Sequence, residues 1–123
     1  MTAVPLLTPE LAEALRAHAR LREPDPAPVV KFFNPAGAGT WLATELDEDG
    51  DTLFGLADLG MGFPELGSFS LAELQALRLP FGLAIERDLS FSTQLPLSAW
   101  ADAARSAGSL MAAEQILAAR DTG

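Results

Sequence analysis

The sequence predicts an α+β fold in a single domain, 1–123. A mainly antiparallel sheet of four or five short strands packs against an N-terminal helix, a short capped middle helix and one or two C-terminal helices. Three observations carry this. Apolar residues recur at helical spacing near both ends of the chain, strand-like runs broken by tight turns fill the middle, and capping residues mark where helices start and stop. At 123 residues the chain is long enough to bury about two-thirds of its unfolded surface.

The first helix starts at Thr8-Pro9-Glu10: a hydroxyl cap, a proline in the first turn, and a carboxylate at the positive end of the dipole. Leu11, Ala14, Leu15, His18 and Leu21 form its apolar stripe, with Glu10, Glu13, Arg16 and Arg20 opposite. It stops near Arg22, where the proline-rich run from Glu23 to Pro28 stiffens the chain. His18, the only histidine, sits mid-stripe with no serine or cysteine motif tied to it, and reads as a packed residue.

Strand patterns follow at Val29–Phe33, Trp41–Leu46 and Leu53–Leu59. Asp49-Gly50 between the last two is a hairpin signal in which both central residues tolerate positive φ. Read as a calcium loop from Asp47, this turn has Thr52 where glycine is required, so a hairpin is the better reading. Gly60–Gly67 reads as a bend leading from strand to helix across the sheet edge, with Met61 packing down onto the core. Ser70-Leu71-Ala72-Glu73 is a capping box that starts a helix ending before Leu79-Pro80. Leu83–Phe91 alternates as a strand with Arg87 in the middle of its apolar face. Leu97–Ala107 is a helix ended by Gly108, and Leu110–Arg120 a second one whose weak stripe has little to bury.

Composition narrows the function classes. The chain has 49% apolar and 20% charged residues and no cysteine, so disulfides and thiolate chemistry are excluded. The start, MTAVPLLTPE, shows no signal-peptide pattern and no run approaches a membrane span, so cytoplasm is the expected compartment. The formal charge of −9 is concentrated: residues 32–77 carry eight acids and no base. That field repels phosphate backbones, so direct nucleic-acid binding is not expected. The glycine-rich stretch at 60–67 is no phosphate loop either. It has Glu65 where a dinucleotide fingerprint needs glycine, and no lysine follows its last glycine. No cofactor, metal site or catalytic residue is expected.

Two positive charges interrupt apolar surroundings: Lys31, the only lysine, and Arg87. Such charges are costly unless paired. Glu45, Asp58 and Glu65 are the expected partners, with Glu65 the first choice for Arg87. Two readings stay open: a ligand pocket of Lys31, Trp41, Glu45, Asp58, Glu65 and Arg87, or structural ion pairs guarding a sheet edge.

The pieces TWL at 40–42, TELD at 44–47, DLG-GFPELG through Gly67 and IERDL at 85–89 are specific in combination. With the opening PLLTPEL and the later PLSAWADAAR, the chain resembles over residues 5–107 a bacterial family catalogued as domain of unknown function 2958. Residues 108–123 form a helical tail beyond it. At Ser90 the chain departs from the bulkier His or Tyr usual in that family. The family occurs on plasmids, phages and integrated elements, so the resemblance implies an accessory role in a mobile element and supplies no chemistry. Taken with the charge, the expected function is a non-enzymatic acidic protein that docks on a basic host protein, such as a nucleic-acid-binding site of a defence system. Asp47, Glu48, Asp49 and Asp51 are the expected docking residues. The pocket above, small-ligand-binding or enzymatic, is the alternative, and a second copy packing on the C-terminal helix is a further partner left open.

Overall fold

Local signals set most of the element boundaries. In the computed structural model, which describes residues 4–121, the Thr8 hydroxyl accepts the Leu11 amide, and helix α1 runs from Pro9 to Leu21. Four strands then form a meander, β1 (Val30–Phe33), β2 (Thr40–Leu46), β3 (Thr52–Asp58) and β4 (Glu65–Ser70). Helix α2 (Leu71–Ala76) follows directly, capped by the Ser70 hydroxyl, which accepts the Glu73 amide. The chain then crosses to the far side of the sheet, adds β5 (Glu86–Arg87), and ends in α3 (Leu97–Ala107) and α4 (Leu110–Asp121). The sheet order is β4-β3-β2-β1-β5, and every neighbouring pair is antiparallel.

Alternation along the strands divides the interior in two. Val30, Phe32, Trp41, Ala43 and Leu53 face α1 and α2 and pack with Leu15 and Leu74. Leu42 and Leu56 face the other way, against Leu97, Trp100, Leu110 and Leu117 of α3 and α4. Each fully buried large side chain contributes about 1.5–3 kcal/mol, so neither half is dispensable. A one-residue bulge in β2, between Ala43 and Glu45, adjusts the register against β3.

Several elements differ from expectation. Gly60–Gly67 is no strand-to-helix bend. Its first part is the turn of the β3–β4 hairpin, with Gly60 and Gly62 at positive φ, and Glu65, Leu66 and Gly67 are strand residues paired with β3. Met61 does not pack on the core; it is 69% exposed at that turn. In the Asp47–Asp51 turn only Gly50 takes a positive φ, because Asp47 accepts the Gly50 amide in an ordinary tight turn. The strand expected at 83–91 shrinks to Glu86-Arg87: Asp88 accepts the backbone and hydroxyl hydrogens of Ser90, and that turn ends the pairing. The terminal helix has much to bury. Leu110, Ala113 and Leu117 are fully enclosed, because alanines at 101 and 104 of α3 let the two helices approach closely. Among the described residues, no helix is long and apolar enough to cross a membrane.

Candidate functional site

The register of β1 against β2 pairs Lys31 with Leu42, which turns the lysine toward α4 rather than toward α1. Its ammonium donates to Glu114 of α4 at 2.5 Å and lies 3.5 Å from the Asp88 carboxylate just after β5. It also sits 5.9 Å from the centre of the Phe33 ring. The lysine side chain is 12% exposed, so this cluster of one cation and two anions is only partly hydrated. Burial pushes the Asp88 carboxyl up, yet bonds from the Ser90 amide and hydroxyl and the nearby Lys31 charge outweigh it and leave the group below its ordinary 3.8. Beside the cluster lies an open groove of about 430 Å³ lined by Phe33, Asn34, Thr40, Met111 and Gln115. The expected partners of Lys31 were Glu45, Asp58 and Glu65. The observed ones lie later in the chain, and Glu114 is 83 residues away.

The six residues expected to line a pocket do not meet. Arg87, Phe32, Trp41, Ala57 and Glu65 form a single row across one face of the sheet, each paired with the next. Glu65 and Arg87 therefore share a face but stand on opposite edges, four strand spacings or about 19 Å apart. Arg87 donates instead to the Pro5 carbonyl at 2.9 Å and keeps access to solvent. Lys31 and Glu45 point to the other face, Glu45 in a row with Phe54 and Ser68. Asp58 is 1% exposed and serves the fold. One carboxylate oxygen accepts the Gly60 amide at 2.8 Å, and the other accepts the Leu110 amide at 2.7 Å, the first of α4. Ser109 accepts the Ala112 amide with its hydroxyl and the Ala113 amide with its carbonyl, so the amides of Leu110, Ala112 and Ala113 at the start of α4 are bonded. His18 is half-buried and donates from Nδ1 to the Thr44 carbonyl at 2.9 Å, which requires the proton on that nitrogen.

The acidic turn is built rigidly. Asp49 accepts from the Asp51 and Thr52 amides and from the Thr52 hydroxyl, and those bonds lower its pKa below 3.8, the Thr52 hydroxyl most. Asp51 reaches across to the start of α2, accepting the Ser70 hydroxyl and the Ala72 amide. Asp47 accepts the Glu48 amide, and Glu48 projects freely. Asp47, Glu48 and Asp49 are all exposed at this end of the molecule. Arg16 and Arg20 line a small groove along one flank with Asp47 and Glu48, so the turn is most negative away from α1. Among the described residues, no three or more His, Cys, Asp or Glu side chains gather as a metal ion would require.

A family model described as "Protein of unknown function (DUF2958)" matches residues 6–111. No curated protein and no solved structure matches the chain.

Proposed function

The chain belongs to the DUF2958 family, and from that premise we propose that it is a non-enzymatic accessory protein of a mobile genetic element that docks on a basic surface of a host protein. A nucleic-acid-binding site of a defence system has the required charge. The observation that carries this reading is the turn between β2 and β3. It holds Asp47, Glu48 and Asp49 exposed together on a backbone braced by its own hydrogen bonds. A preorganised cluster of carboxylates loses little entropy on docking and steers a basic partner at long range. The groups with chemical potential elsewhere are occupied by the fold: Lys31 by Glu114 and Asp88, Asp58 by α4, His18 by a carbonyl.

Changing Asp47 to Asn and Glu48 to Gln tests the reading without touching Asp49 and Asp51, which brace the turn and α2. Capture of a basic protein from host lysate should fall at least about tenfold in this variant. In the unaltered chain it should weaken steeply as salt rises and the screening length drops from about 10 Å toward 3 Å. Capture unaffected by both changes would refute it. A small-ligand reading now belongs to the groove beside Lys31 and Glu114. Native mass spectrometry showing a stoichiometric small molecule, lost on Glu114→Gln, would favour that reading instead.

A further inference from the structure

We propose that the outer edge of β4 is a docking edge, taking an extended arginine- or lysine-bearing segment of a partner protein as a sixth strand. The inference rests on the basic-partner reading above and adds the mode of contact. β4 pairs with β3 alone. The Leu71 amide bonds the Asp51 carbonyl in the same register, so the hydrogen-bonded pairs of this hairpin fall on odd-numbered residues of β4. The N–H and C=O groups of Leu66 and Ser68 therefore point away from the sheet, and they have no partner among the described residues.

Edge strands are ordinarily guarded by lysine, proline, a bulge or brevity. The opposite edge is: β5 has two residues. β4 has none of these devices, and its one charge is Glu65 at its start. It runs six residues without lysine or proline, in unbroken register with β3.

Gly67 supplies an independent observation. Its φ is not positive, and a Cβ built there would meet nothing within 4 Å. Neither the backbone nor the packing of this chain calls for glycine at that position. A glycine inside a strand with no internal reason marks a place where another chain comes close. Its cross-strand neighbour is Gly55, where a Cβ would collide with the Leu42 carbonyl at 1.8 Å. At Gly55 the Leu42 carbonyl already fills the space, so Gly67 alone leaves a notch of bare backbone on the face shared with Glu65 and Phe69.

Charge selects the occupant. On the notch side Glu65 stands one alternation from Gly67. On the other side Ser68, Phe54, Glu45 and Asp47 border one groove of about 220 Å³. An added strand thus meets acid on both faces and no base from residues 32–77. A basic segment fits both faces, with an arginine stem on the notch and its head at Glu65. A second copy would bring two chains of formal charge −9 together along the same acidic edge.

The probe is a short labelled peptide alternating arginine and valine, compared with one alternating glutamate and valine. Fluorescence anisotropy should show salt-sensitive binding of the first alone, with amide exchange slowed at Leu66 and Ser68. Ser68→Pro removes an outward donor at an edge, where proline is tolerated, and should weaken binding by about tenfold or more. Gly67→Val should weaken it by filling the notch. Should Ser68→Pro fail to fold, methylating alternate backbone nitrogens of the peptide removes the same bonds and should have the same effect. Binding that leaves Leu66 and Ser68 unprotected and ignores both changes would overturn the docking edge while leaving the basic-partner reading intact. Equal binding of the glutamate peptide would overturn the occupant and count against that reading too. No binding by either peptide would overturn the docking edge, and capture through Asp47 and Glu48 would then judge the reading alone. Protection of Leu66 and Ser68 that grows with protein concentration, without peptide, would assign the edge to a second copy and refute the proposal.

Discussion

Replacing Asp58 with alanine should destabilise the chain by about 2–4 kcal/mol. The carboxylate bridges the end of β3 to the first amide of α4 and also holds the Gly60 amide, at 2.7 and 2.8 Å. Leu110 is fully buried, so its N–H cannot turn to water, and an unsatisfied buried donor costs about 1–3 kcal/mol. Removing an anion from the positive end of a helix adds about 0.3–1 kcal/mol. Asn at 58 keeps one acceptor and sets its NH₂ against the other amide, so Asp58→Asn should lose about half as much. Urea unfolding followed by circular dichroism measures this. With a slope near 1.5 kcal/mol/M, the alanine midpoint should fall by about 2 M at unchanged slope. Amide exchange should quicken at Leu110 and through α4 before it does in β2. A loss below about 0.5 kcal/mol, or α4 amides exchanging at the original rate, would show that the bridge holds nothing.

Lys31→Met should cost about 1–3 kcal/mol by leaving Glu114 and Asp88 facing each other, and Glu114→Gln less, since Asp88 still partners the lysine. The double-mutant cycle should give a coupling of about 1 kcal/mol, and a coupling near zero would make the pair incidental. Ser90→Ala should raise the Asp88 pKa toward its ordinary 3.8, because one of the bonds that lower it is lost. A carboxyl held low in the folded state adds stability that is complete above the ordinary value and lost as pH falls through the folded one. The deficit of Ser90→Ala should therefore be present at neutral pH and vanish in acid; a deficit independent of pH would contradict this. Arg87→Met should cost less than about 1 kcal/mol, the loss of one partly solvated bond to Pro5, with no coupling to Glu65→Gln. A coupling above about 0.5 kcal/mol would mean the two side chains meet.

The sequence was legible wherever the cause is local. Thr8, Gly50, Ser70 and Gly108 act within a turn of their own position, and the elements they start or stop lie where the spacing places them. Alternation also put Arg87 on one face of its strand, with Glu65 read as part of a bend. It could not say that three strands stand between them, because strand order depends on where the chain goes after α2. The partners of Lys31 escaped for the same reason: Glu114 comes from a helix whose stripe of small residues looked too weak to dock. Such a stripe buries well only against another of its kind, and the alanines at 101 and 104 were the available signal. Asp58 looked like a pocket residue because its neighbourhood in sequence uses only one carboxylate oxygen, on the Gly60 amide; the amide the other oxygen serves is 52 residues on.

The sheet separates two apolar interiors, and each holds one of the two tryptophans, Trp41 against α1 and Trp100 within α3. The central strands divide the layers, and the connector after α1 also reaches α3, where Pro26 accepts the Leu97 amide and Asp25 accepts from Ser98. Cooperativity of unfolding therefore passes through these bonds and through β2 and β3, whose side chains alternate between the layers. A chain with Trp100→Phe reports melting of the first layer by fluorescence, and one with Trp41→Phe the second. Coincident transitions would mean that the sheet couples the layers into a single unit. If the α3–α4 layer can open while the rest holds, its transition will come first, and Lys31–Glu114, Asp58–Leu110 and Asp25–Ser98 are clasps that set how readily it does.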